Sequence, residues 1–90
     1  MDNFIIKVYG TDWCGDCIRA KRFFQKNQIP YEWINIDKDK EAEKLVMEIN
    51  HGNRSVPTII LHDGSILVEP SDAELSEKIL NRQEGVKNER

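Results

Sequence analysis

A strand-like run that gives way to a helix at two closely spaced cysteines constrains this chain more than any other feature. Phe4 to Tyr9 is rich in β-branched and aromatic residues, and Gly10-Thr11-Asp12 stops it, as turn-forming residues stop a strand. Trp13-Cys14-Gly15-Asp16-Cys17 follows at once. From Cys14 to Gln28 there is no Gly or Pro after Gly15. Ile18, Ala20, Phe23 and Phe24 form an apolar face, while Arg19, Lys21, Arg22 and Lys26 stay wet, which predicts an amphipathic helix. Beyond Pro30, Tyr31 to Ile36 is again aromatic and β-branched and reads as a second strand. Strand, helix and strand in that order should make a right-handed parallel unit.

The remainder of the chain supplies the rest of a sheet. Asp37-Lys38-Asp39 is a polar loop. Ala42, Leu45, Val46 and Ile49 recur at helical spacing, with Gly52 as the expected C-terminal cap. Thr58 to Leu61 and Ser65 to Val68 flank Asp63-Gly64, a hairpin signal that makes the last two strands antiparallel. Ser71-Asp72-Ala73-Glu74 matches a capping box, with Pro70 and Leu75 placed as a hydrophobic staple. Leu75, Ile79 and Leu80 give the last helix its buried face. The expected order is β-α-β-α-β-β-α, an α/β fold with a mixed four-stranded sheet and three helices. Ninety residues suffice for one domain, taken as residues 1–82, and Gln83 to Arg90 reads as a polar tail.

Charge and hydropathy narrow the setting. The formal net charge is −3, with 39% hydrophobic and 32% charged residues of both signs interspersed. That describes a soluble domain without the basic field that nucleic-acid binding needs. Nothing approaches the roughly 20 apolar residues of a membrane span. Met1-Asp2-Asn3 lacks a basic, then apolar, leader pattern. The expected compartment is the cytoplasm, where thiols are kept reduced and lasting structural disulfides are rare.

In that setting a C-x-x-C between a strand and a helix reads as a redox pair on a thioredoxin-like fold. Unpaired N–H groups and the positive dipole end at the helix start favour a Cys14 thiolate, the nucleophilic form of the side chain. Cys17 lies about one helical turn away, so it can attack the mixed disulfide formed on Cys14 and resolve it. Asp16 opposes the thiolate, and Arg19 and Lys21 are placed to offset it. Zinc is the competing use of a C-x-x-C. The other soft ligands, His51 and His62, lack the compact histidine spacing of such sites, so no metal is expected. A structural disulfide across so short a loop would remove little unfolded-state entropy.

Val56-Pro57 precedes the third strand. Pro57 could be an ordinary strand-start proline. With the dithiol upstream, it is read as a cis-proline that turns the Val56 backbone toward the cysteines, where it could pair with an extended thiol substrate. Trp13 flanks the nucleophile and is read as a docking surface for partners. Phe23, Phe24, Tyr31 and Trp33 are read as core or sheet-face aromatics.

From about Phe4 to Leu80 the chain resembles a glutaredoxin-type redoxin, and within that family the mycoredoxin branch. Trp13-Cys14-Gly15, Asn53-Arg54-Ser55-Val56-Pro57-Thr58, Asp63-Gly64-Ser65 and Pro70-Ser71 carry the resemblance. It implies an enzyme that reduces mixed disulfides of proteins or of a low-molecular-weight thiol by dithiol or monothiol chemistry. The thiol's peptide-like part would lie along Val56. Its carboxylate would meet the last helix at Ser71 and Asp72, as free helix N–H groups bind anions, with Arg54 adding positive charge and Thr11 and Trp13 lining the same site. Three places differ from glutathione-using members. Thr11 stands where lysine is frequent, Asp16 where an aromatic is frequent, and Glu69-Pro70 where Gly-Gly is usual. Glutathione, mycothiol and bacillithiol all stay open as reductant. The expected partners are that thiol and disulfide-bearing proteins, with the chain acting as a monomer in cellular redox homeostasis. The alternatives are an electron donor recharged by a thioredoxin-reductase-like flavoenzyme, serving ribonucleotide reductase or a peroxidase, and an iron–sulfur cluster carrier.

Overall fold

The computed structural model describes residues 5–80; the expected tail, residues 83–90, lies outside them. Strand β1 (Ile6–Gly10) runs into helix α1 (Gly15–Lys26), then β2 (Tyr31–Asn35), α2 (Lys40–Ile49), β3 (Thr58–Ile60), β4 (Ile66–Val68) and α3 (Asp72–Leu75), which continues as a π-helical turn over Ser76–Leu80. The sheet order is β2-β1-β3-β4. β1 lies parallel to β2, with Val8 beside Trp33, and antiparallel to β3, with Val8 opposite Ile59. β3 and β4 are antiparallel. This is the expected mixed sheet with three helices.

The period-two alternation of β1 divides the core. Ile6 and Val8 join Ala20, Phe23 and Phe24 of α1, Ile59 and Leu61, and Leu75 and Ile79 from the last helix. Tyr9 turns to the other sheet face and packs with Ile36, Ala42 and Val46. Helices α1 and α3 therefore share one face and α2 covers the other. The aromatics read as core or sheet-face residues pack there, Phe23 and Phe24 buried and Tyr31 and Trp33 against them; Phe24 lies edge-on to Phe23 and tilted on Tyr31, with centroids 5.6 and 5.2 Å apart.

Several element ends differ from the sequence reading, each for a local reason. α1 starts at Gly15 because Cys14 is its N-cap, with φ −85° and ψ 122°. α2 is capped by Asp39, whose carboxylate accepts from the Ala42 N–H at 3.0 Å. That helix does not stop on Gly52 alone. His51 takes the left-handed conformation (φ 57°) and the Gly52 N–H donates to the Met47 carbonyl at 2.7 Å, the six-to-one bond of a Schellman ending. The capping box forms as expected: Ser71 Oγ accepts from the Glu74 N–H at 3.1 Å, and Glu74 Oε1 from the Ser71 N–H at 3.0 Å. Glu69, just ahead of Pro70 and the last helix, adopts φ 50°, a conformation that costs glycine least.

Candidate active site

Three loops and the start of α3 surround the cysteines. Cys14 is half-buried at the mouth of α1, and its Sγ accepts from the Cys17 N–H at 3.4 Å. Both cysteines are free thiols. Cys17 lies inside the first turn at 0% exposure. Gly10 is what lets β1 pass so close beneath it: a Cβ at Gly10 would stand 2.5 Å from Cys17 Sγ and 2.8 Å from the Trp33 ring. A half-buried thiol over a fully buried one gives the pair unequal access to solvent.

The buried thiol is pushed up to about 12, chiefly by desolvation; the Thr11 backbone hydrogen bond opposes the rise, and Cys14 and Asp16 add to it. Cys17 is therefore protonated at neutral pH and must lose its proton as it attacks. The same shift predicts a pH dependence. A folded value above the ordinary 9.0 stabilises the reduced protein in full below about pH 9, and this contribution is lost as pH rises toward about 12. Urea unfolding of the reduced wild type should lose stability more steeply across that window than Cys17→Ala. Matching slopes would show that the folded and unfolded chains hold this proton equally.

Asp16 is paired. Arg19 donates to it at 3.1 Å, to Asp72 at 3.0 Å and to the Pro70 carbonyl at 3.4 Å. One guanidinium thus joins the C-x-x-C to the start of α3. Lys21 does not share that task, because its ammonium sits 4.0 Å above the Trp33 ring.

The Val56–Pro57 bond is cis, and Cys14 Sγ points at the Val56 carbonyl oxygen, 3.9 Å away. The neighbouring chain is tied down: Thr58 Oγ1 donates to the Ser55 carbonyl at 2.7 Å and accepts from Asn50 Nδ2 at 3.1 Å. Trp13 is 69% exposed, with its indole N–H donating to Asp37 Oδ2 at 2.9 Å.

Two of the expected ligand-contact residues sit in settings the sequence did not suggest. Thr11 is 1% exposed and its Oγ1 has no hydrogen-bond partner among the described residues, so the side chain presents no surface to a ligand. It lies below the dithiol, with its backbone bonded to Cys17. Arg54 does not offer an open positive charge, because it already bridges Asp37 at 2.6 Å and Glu43 at 2.7 Å. Ser71 and Asp72 are exposed at the start of α3, but the Ser71 N–H is held by Glu74 and the Asp72 carboxylate by Arg19. Asp37, Glu43 and Gly10 were not singled out from sequence. Asp37 stands in a run of charged loop residues, and only the fold brings it against Trp13 and Arg54. No group of three or more His, Cys, Asp and Glu among the described residues could hold a metal ion. No described helix is long and apolar enough to cross a membrane.

A cysteine-capped helix packed on a four-stranded mixed sheet, with a second cysteine one turn in and a cis-proline loop facing it, defines a thioredoxin-like dithiol protein. Comparison with known proteins names the family. The glutaredoxin family model matches residues 6–66. A Mycobacterium tuberculosis protein that bears the glutaredoxin name is 39% identical over 83% of this chain and 89% of its own. Mycoredoxin 1 of Corynebacterium glutamicum is 36% identical over 82% and 91%. The crystal structure of a thioredoxin-like protein superposes with a TM-score of 0.70 at 26% identity, covering 80% of this chain and 96% of the other. The chain belongs to the glutaredoxin family, and it is a thiol–disulfide oxidoreductase of glutaredoxin type.

Proposed function

We propose that this enzyme reduces mixed disulfides between proteins and a low-molecular-weight thiol, with Cys14 as nucleophile and Cys17 as resolving thiol. The supporting observation is the stacking of the two sulfurs: Cys14 half-exposed at the helix mouth beside the Val56 carbonyl, Cys17 buried beneath it. The Cys14 thiolate attacks one sulfur of the substrate. The substrate S–S bond breaks, a bond to Cys14 Sγ forms, and the protein leaves as a thiolate that takes up a proton. Either a second small thiol or Cys17 then attacks the adduct. The first route restores the Cys14 thiol and releases a small-molecule disulfide. The second releases the small thiol and leaves the Cys14–Cys17 disulfide, which two further small thiols reduce.

The backbone at Val56, ahead of Pro57, is the proposed strand edge for the thiol's peptide-like part, and Trp13 the face on which substrates dock. Ser71 and Asp72, beside Arg19, receive its polar end. Residues 1–82 are taken as the catalytic domain, working as a monomer in the cytoplasm. Glutathione, mycothiol and bacillithiol are the candidate reductants.

The test is to oxidise the protein and follow its reduction by each of these thiols and by NADPH with thioredoxin reductase, locating adducts by mass spectrometry. Fast reduction by one small thiol through a Cys14 adduct is expected. Reduction only by the flavoenzyme would replace this reading with a thioredoxin-reductase-dependent electron donor. Cys17→Ser should retain turnover of a small-thiol mixed disulfide and accumulate the Cys14 adduct. A Cys17→Ser variant without turnover would mean the dithiol route is obligatory.

A further inference from the structure

Two segments from separate parts of the chain flank Cys14: Trp13 directly precedes it, and the Val56 carbonyl oxygen, two residues beyond Arg54, lies 3.9 Å from its Sγ. Asp37, on the loop after β2, is bonded to both: Oδ2 accepts from Trp13 Nε1 at 2.9 Å and Oδ1 from Arg54 Nη2 at 2.6 Å. Arg54 is anchored in turn to Glu43 of α2, Nε to Oε2 at 2.7 Å. The carboxylate is itself held in place. The Asp37 N–H donates to Asn35 Oδ1 at 2.9 Å, and Asn35 Nδ2 donates to Asp12 Oδ2 at 3.0 Å.

We propose that Asp37 is a positioning residue that sets the separation between Trp13 and the Val56 loop and fixes the indole for an incoming disulfide. The inference rests on the reading of Trp13 and Val56 as the substrate walls. At 69% exposure the indole has little packing to hold its rotamer, so its orientation depends on its single N–H. A lone surface ion pair does little. Here one carboxylate takes two charge-assisted or directional bonds from two separate segments, and its partner Arg54 is held through two of its nitrogens by two carboxylates, which gives the arrangement its stiffness. Hydrogen bonds from Trp13, the larger influence, and from Arg54 hold Asp37 below the usual carboxylate range, so the latch stays ionised at neutral pH. The hydrogen bonds of Cys14 Sγ run to the Val56 carbonyl and the Cys17 N–H, and those of Asp37 run elsewhere. Their effect therefore falls on substrate binding through preorganisation.

Two probes test this in the full chain: a cysteine peptide carrying a glutathione mixed disulfide, and insulin. Asp37→Ala should raise KM about fivefold with kcat little changed, and Asp37→Asn, which keeps an acceptor for Trp13, should raise it less. The rise should shrink in a Trp13→Phe background, which has no indole N–H to hold. The Trp13 indole proton resonance should move upfield in Asp37→Ala while that of Trp33 stays. Wild-type turnover with KM unchanged in Asp37→Ala, or an unmoved Trp13 resonance, overturns the positioning role alone. If the wild type reduces neither of these probes nor the same peptide carrying mycothiol or bacillithiol, the proposed function fails, and the indole resonance still decides whether Asp37 holds Trp13.

Discussion

Cys14→Ser is expected to lower disulfide turnover by a factor on the order of a thousand or more, to the background rate. The reason is chemical rather than geometric. Serine fits the N-cap position at least as well as cysteine, since its oxygen accepts helix N–H bonds. The variant should therefore fold and unfold like the wild type. A hydroxyl, however, neither ionises near neutral pH nor forms the sulfur–sulfur bond through which electrons pass. Turnover of a mixed disulfide of whichever small thiol reduces the wild type, followed through coupled NADPH oxidation, measures the loss, and urea unfolding confirms the fold. Appreciable turnover would transfer the nucleophile's role to Cys17, against its 0% exposure and its thiol pushed up to about 12.

The largest effect on stability is expected from Phe24→Ala. Phe24 is 0% exposed and belongs to the larger core cluster, between Phe23 and Tyr31. Removing a buried phenyl ring costs about 3–5 kcal/mol, the transfer energy of the ring plus the cavity it leaves. Against a typical domain stability of about 5–15 kcal/mol, that loss should shift the urea midpoint strongly downward. Activity per folded molecule should survive, because Phe24 lies on the core side of α1, away from Cys14. A loss below about 1 kcal/mol would mean that the neighbouring side chains close the cavity.

The fold was legible because its signals are local and periodic. Alternation in Phe4–Tyr9, helical spacing in Ile18–Phe24 and Ala42–Ile49, and the capping box at Ser71 depend on neighbours within a few residues. The exact ends were less legible. Cys14 became a cap, His51 took the turn conformation beside Gly52, and the last helix changed to π geometry after Leu75. Such ends are settled by tertiary hydrogen bonds and packing.

The same division runs through the site. The sequence by itself determined the dithiol, its place at the start of a helix and the proline loop expected to face it. Each is a spacing or a residue type whose consequence is set by backbone geometry. Only the tertiary structure decided that Arg19 joins Asp16 to Asp72, that Lys21 covers Trp33, that Arg54 is neutralised, and that Thr11 is buried. It also decided that Gly10 must lack a side chain beneath Cys17 and that Asp37 meets Trp13. These are encounters between residues far apart in the chain. Charge and burial at such positions depend on which strand lies beside which, so they follow from the packed sheet and not from the order of residues along it.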